Sequence, residues 1–294
     1  MTIPFFKYQG TGNDFVMLDQ RDTTYLTIAD TETIRQLCDR RFGIGGDGLM
    51  FLQQKEGYDF EMVYFNADGT EGSMCGNGGR CLTAFAHFLG VFKEKCTFWA
   101  IDGVHEAVVK GSVDKGALGN AVWVELKMID VERKNIEQGS DYFVINTGSP
   151  HYIVLVEDLT DINVYDNGRA IRYSERFAKE GVNVNFVEIA PQPPKGEKRG
   201  IEVATYERGV EDETFSCGTG VTAAAIAYHL KTNNGMEVPI KTKGGQLEVK
   251  FNKNTEGSTF ENVWLCGPAT QVFIGTITIY SLDSIITSFV TFVL

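Results

Sequence analysis

Two cysteines in this chain are each followed directly by Gly-X-Gly: Cys75 by Gly76-Asn77-Gly78, and Cys217 by Gly218-Thr219-Gly220. A thiol is a base when ionised and an acid when protonated, so two thiols facing one carbon can take a proton from one side and return it on the other. Beyond Cys75, Leu82, Phe85, Ala86 and Leu89 recur at i, i+3, i+4, i+7 and predict one face of a helix; beyond Cys217, residues 221–230 are apolar nearly all round and predict a buried one. Each cysteine then stands at a helix N-terminus, where the macrodipole and free N–H groups favour the thiolate and lower its pKa from the usual value of about 8.5. The N–H groups of Gly76-Asn77 and Gly218-Thr219 can also hold a carboxylate there. The same spacing fits two Gly-rich helix caps that carry buried cysteines.

The elements around the motifs repeat as well. Aligning Cys75 on Cys217 pairs Gly76 with Gly218, Gly78 with Gly220, His87 with His229, Tyr64 with Tyr206 and Glu71 with Glu213, which predicts an internal duplication. Each half opens with a strand, a Thr-Gly turn and a strand, over residues 5–19 and 142–156. Further helices are predicted over 30–41 and 169–180. Strands are predicted at 60–65, 97–100, 106–110, 121–127, 184–189, 201–206, 239–242, 247–251 and 263–265, with a last strand pair over 267–280. Residues 192–198 read as a hairpin loop. The expected class is α+β: two pseudo-symmetric lobes, each a curled, mostly antiparallel sheet wrapped round a central helix, with the active site in the cleft between them. The lobes are expected at 1–115, completed by a C-terminal strand near 268–280, and at 116–267, with the seam in 111–119. Residues 281–294, SLDSIITSFVTFVL, are an atypical apolar tail, too short for the ~20 apolar residues of a membrane span.

Composition narrows the function. A chain of 294 residues, 43% hydrophobic, can bury two lobes, and a net charge of -12 argues against nucleic acid or an anionic membrane as partner. The N-terminus shows no secretory signal, so the cytoplasm is expected. Six cysteines without dense spacing read as reduced thiols, and Cys38, Cys81, Cys96 and Cys266 as packing residues. Gly43-Ile44-Gly45-Gly46-Asp47-Gly48 matches Gly-X-Gly-X-X-Gly but precedes a strand instead of following one, the reverse of a dinucleotide site. No metal site is predicted: there is no Cys-X-X-Cys pair, and His105-Glu106 lacks the second histidine of a zinc helix. His87 and His229 fall within helices and read as structural, whereas His151 follows a turn at the cleft.

Several blocks together resemble the diaminopimelate epimerase family. They are residues 9–15 (QGTGNDF), 65–69 (FNADG) running on to 74–81 (MCGNGGRC), 148–151 (GSPH), Val182-Asn183, and 206–209 (YERG) running on to 216–220 (SCGTG). The resemblance covers the chain in order to about Phe273. It implies a two-thiol epimerase that needs no pyridoxal phosphate or other cofactor, interconverting LL- and meso-2,6-diaminopimelate on the route to lysine and peptidoglycan. Carried over residue by residue, it makes Cys75 and Cys217 the acid/base pair. Asn13, Asn66, Ser149, Asn183, Glu207 and Arg208 would bind substrate; Gly76, Asn77, Gly218 and Thr219 would cradle the carboxylate at the reacting carbon; His151 and Glu207 would tune the thiols.

Two positions depart from the pattern. Family members often carry Asn before the Pro-His pair where this chain has Ser149, a shorter group that needs a water to reach as far. Some have Gln where Ile44 falls, so no binding role is assigned to Ile44. The competing readings are a proline or hydroxyproline racemase of similar plan, whose ring substrate would leave Glu207, Arg208 and the asparagines without work, and a binding protein without catalysis. The oligomeric state is left open, with a homodimer allowed.

Overall fold

The computed structural model describes residues 1–113, 120–254 and 256–279. Most of the expected seam and the tail at 281–294 lie outside the described residues. The first half holds β1 (Thr2–Gly10), β2 (Asn13–Asp19), α1 (Thr31–Cys38), β3 (Gly48–Gln53), β4 (Phe60–Asn66), α2 (Gly76–Phe88), β5 (Lys95–Ala100), β6 (Gly103–Ser112) and β7 (Asn120–Lys127). After the short β8 (Val131–Glu132) and β9 (Glu137–Gln138) come β10 (Tyr142–Asn146), β11 (Pro150–Val156), α3 (Val164–Arg172), β12 (Asn183–Ile189), β13 (Ile201–Glu207) and β14 (Asp212–Thr214). The chain continues through α4 (Gly218–Thr232), β15 (Glu237–Thr242), β16 (Gly245–Lys253) and β17 (Thr259–Thr278).

The pairing pattern repeats. β1–β2, β3–β4 and β5–β6 are antiparallel, joined by parallel β2–β3 and β4–β5. In the second half β10–β11, β12–β13 and β15–β16 are antiparallel, joined by parallel β11–β12 and β13–β15. Strand alternation sends every second side chain inward. Phe15, Met17, Met50 and Leu52 pack with Leu82 and Phe85 of α2, while Val16, Leu18, Leu49 and Phe51 pack with Ile34 and Leu37 of α1 on the outer face. In the second half Val187, Val203 and Ile240 surround Val221, Ala224 and Ile226 of α4, and Val184 and Phe186 face the α3 side. Each sheet thus curls round its central helix, the α+β class read from the sequence.

Four details differ from expectation. α1 stops at Cys38 because Asp39 takes an extended conformation and its carboxylate accepts the N–H groups of Arg41 and Phe42, turning the chain. The helix expected at 169–180 lies instead at Val164–Arg172, because the Asn163 side chain caps it by accepting the Asp166 N–H. The separate strands expected at 263–265 and 267–280 are one strand of 20 residues, β17. It pairs with β16 first, then with β7 over 267–271 and β1 over 270–278, so it runs from the second sheet into the first. β7, expected to begin the second lobe, pairs with β6 and β17 and sends Val124 and Leu126 into the α2 cluster, since those alternate residues face that helix. Among the described residues no helix is long and apolar enough to cross a membrane.

Candidate active site

Cys75 is the N-cap residue of α2 and Cys217 that of α4, both with extended backbone. The Gly-rich segments are the first helical turns themselves. They meet: a Cβ on Gly218 would lie 3.3 Å from the Cα of Gly76, and a Cβ on either glycine would press on Leu265 of β17, the strand that links the sheets. Only residues without a side chain allow two helix starts to approach this closely. Asn77 crosses the junction, donating its Nδ2 to the Ser216 carbonyl at 2.9 Å, and Thr147 on the β10–β11 turn donates Oγ1 to the Thr219 carbonyl at 2.8 Å.

Each sulfur has its own neighbours. Cys75 Sγ donates to Asn13 Oδ1 at 3.6 Å, and Asn13 is held in turn by Nδ2 donating to Asp47 Oδ2 at 2.6 Å. Behind it, Asp14 is gripped by Lys7 at 2.7 Å and Arg40 at 2.6 Å; burial pushes its carboxyl up, yet the two cations hold it down at about 2. Cys217 Sγ lies 3.5 Å from Thr219 Oγ1, and Thr219 Oγ1 lies 2.8 Å from Nε2 of His151.

The lowered thiol pKa expected from the helix N-termini is not what the site gives. Burial pushes both Cys75 and Cys217 up, and the nearby Glu207 adds to it. The N–H groups of Gly78 and Asn77 at Cys75, and of Gly220 with the Thr219 hydroxyl at Cys217, pull the other way without prevailing. A helix terminus contributes about 0.3–2 kcal/mol, whereas full burial shifts a pKa by up to about 3–5 units, roughly 4–7 kcal/mol. Burial wins. It acts on His151 too, lowering it to about 3, with Arg208 contributing, so the imidazole is neutral and any influence on Cys217 passes through Thr219.

The remaining expected residues divide into two groups. Asn183 is a junction: its Nδ2 donates to Ser149 Oγ at 2.9 Å and its Oδ1 accepts the Arg208 N–H at 2.8 Å, joining three of them. The Arg208 guanidinium donates to the Glu180 carbonyl at 2.8 Å. Glu207 accepts from Thr214 at 2.9 Å and is pushed up by burial. Asn66, by contrast, is exposed and bonded within its own turn to Thr70, with no hydrogen bond to the thiol pair.

Three residues given no role from the sequence belong to this constellation. Asp47 orients Asn13 from within the Gly43–Gly48 stretch that mimics a nucleotide loop. Arg80, 0% exposed, donates to Asn77 Oδ1 at 3.0 Å and Thr11 Oγ1 at 3.3 Å, a buried cation beside the α2 start with no carboxylate partner among the described residues. Asn185 contacts His151 Nδ1 at 3.0 Å. A signal for Asn185 was present: in Asn183-Val184-Asn185-Phe186 the asparagines alternate with apolar residues, which puts a polar face on a buried strand.

Comparison with known proteins identifies the family of the chain. The diaminopimelate epimerase family model matches residues 5–124 and 143–270. The chain is 46% identical over 275 residues to a diaminopimelate epimerase of Flavobacterium psychrophilum, covering 92% of this chain and 99% of that protein. It is 39% identical over 278 residues to one of Chlorobaculum tepidum, covering 92% and 99%. Among solved structures, a Bacillus anthracis phenazine biosynthesis protein of the PhzF family superposes with a TM-score of 0.70 at 15% identity, covering 95% of this chain and all of that one. A probable proline racemase from Agrobacterium radiobacter superposes with a TM-score of 0.64 at 14% identity, covering 96% and 94%. These two share the fold.

Proposed function

The chain belongs to the diaminopimelate epimerase family of isomerases, and from that membership we propose that it interconverts LL- and meso-2,6-diaminopimelate on the route to lysine, with Cys75 and Cys217 as the acid/base pair. The observation that carries the reading is the contact of Gly76 with Gly218, which sets two N-cap cysteines at one junction between the sheets. A substrate carboxylate held at the helix starts and an α-ammonium beside it would put the reacting carbon between the sulfurs. One sulfur accepts the α-hydrogen as a proton while the other, as a thiol, donates to the opposite face; reversal exchanges the roles. A cation on the substrate offsets the burial that holds both thiols protonated.

At the far end of diaminopimelate a second carboxylate and ammonium need partners. Arg208 offers a planar fork for the first and Glu207 an anion for the second, with Asn13, Asn66, Asn183 and Ser149 as polar contacts along the chain. Proline has no such second end. The free thiols of all six cysteines suit a reducing, cytoplasmic setting. The test is exchange of the α-hydrogen with deuterated solvent across diaminopimelate and proline stereoisomers. Exchange confined to LL- and meso-diaminopimelate supports the reading; exchange in proline, or in neither, contradicts it.

A further inference from the structure

Asn185 sits on β12 two residues beyond Asn183, 0% exposed, and the direction of its hydrogen bonds is fixed by its surroundings. Its Oδ1 accepts from Thr205 Oγ1 at 3.0 Å. Its Nδ2 faces the Tyr152 carbonyl at 3.5 Å, a group that can only accept, and His151 Nδ1 at 3.0 Å. An amide NH2 only donates, so Nδ1 of the neutral imidazole accepts and the ring proton lies on Nε2. Nε2–H then donates to Thr219 Oγ1, and the Thr219 hydroxyl proton is left to point at Cys217 Sγ. Gly220 makes room for this arrangement, because a Cβ there would stand 2.4 Å from Asn185 Oδ1 and 3.3 Å from His151 Cε1.

We propose that Asn185 is a positioning residue of the acid/base step: it sets the His151 tautomer so that Thr219 presents a hydrogen to Cys217 Sγ and stabilises the thiolate. The inference rests on Cys217 being one of the two acid/base thiols. Cys75 has no such side-chain relay: besides the backbone N–H groups of Asn77 and Gly78, its sulfur meets Asn13 Oδ1, which is an acceptor. The effect of Asn185 is therefore confined to one thiol. The other groups that face Cys217 are Glu207 and Cys75, and Arg208 faces His151; none of them is bonded to Asn185.

The test follows alkylation of each cysteine by iodoacetamide against pH, with peptide mass spectrometry reading a titration midpoint per thiol. Asn185→Leu should raise the Cys217 midpoint by about one unit, the order of a lost hydrogen bond to a charged group, and leave that of Cys75 in place. Thr219→Val should raise it similarly, and adding Asn185→Leu to Thr219→Val should change nothing further. An unmoved Cys217 midpoint, an equal shift at Cys75, or full additivity with Thr219→Val overturns the proposal. If Asn185→Leu does not fold, Thr205→Val loosens the same amide and must raise the Cys217 midpoint; no change there also overturns it. No substrate enters this measurement, so its outcome is separate from whether the wild-type protein exchanges the α-hydrogen of diaminopimelate.

Discussion

Gly76 and Gly218 touch across the junction of the two sheets, with 3.3 Å between the Cα of one and the position a Cβ on the other would take. The first turns of α2 and α4 can be this close only while both positions lack side chains. Gly218→Ala must displace Leu265, 2.8 Å from the new methyl, or push the helix starts apart. Overpacking of this kind costs ~1–3 kcal/mol. A larger loss should appear in kcat, because the spacing of the sulfurs changes with the helices. Urea unfolding and steady-state kinetics on the same preparation check this, and a destabilised variant with wild-type kcat would separate the contact from the chemistry.

Replacing either N-cap cysteine by alanine should abolish epimerisation, since one face of the substrate carbon then lacks a proton donor or acceptor. Cys81→Ala and Cys96→Ala are the controls: both residues are buried in the α2 core, so stability falls while turnover per folded molecule stays. Near-wild-type turnover in Cys217→Ala would mean that one base does both jobs.

Arg208→Lys keeps the charge and loses the fork. We expect kcat/KM for LL-diaminopimelate to fall about tenfold or more, equivalent to about 1.4 kcal/mol per decade. The bond from Arg208 to the Glu180 carbonyl offers a purely structural role for comparison. A lowered melting temperature with unchanged kcat/KM would assign Arg208 to the fold alone.

Alkaline pH should destabilise the protein through its buried thiols. Burial raises Cys38, Cys81, Cys96 and Cys266 to about 12, against about 8.5 in the unfolded chain. A group whose folded pKa is raised contributes stability that is complete below the unfolded pKa and is lost as pH rises through the folded one, here from about 8.5 toward 12. The urea midpoint should therefore fall between pH 8 and pH 10.5, and fall less in Cys96→Val. An equal fall in both proteins would assign the loss to other groups.

The cysteine motifs were legible because both signals are local: a Gly-rich turn, then a helical stripe or an apolar run. So were the turns at Thr11-Gly12 and Thr147-Gly148 and the hairpin at 192–198. What escaped depends on partners far apart in the chain. Asp47 reaches Asn13 across 34 positions, Asn77 reaches Ser216 across 139, and β17 is one strand because it pairs in turn with β16, β7 and β1. The raised thiol pKa escaped for a related reason. A helix N-terminus is visible in Cys-Gly-X-Gly, but the depth of burial that outweighs it is set by the whole fold. The α3 boundary is different, since Asn163 followed three residues later by Asp166 is a local start signal that places the helix ahead of 169–180.

The most direct test of two opposed thiols is where solvent hydrogen appears during one turnover. LL-diaminopimelate is converted in deuterated water, stopped early, and the product and remaining substrate are separated and analysed for α-deuterium. With one thiol removing the proton and the other supplying a different one, the meso product should carry one deuterium at the inverted centre while the recovered LL substrate carries none. Product that retains the original α-hydrogen would show a single group carrying the proton from face to face, and would contradict the assignment of Cys75 and Cys217 to separate faces.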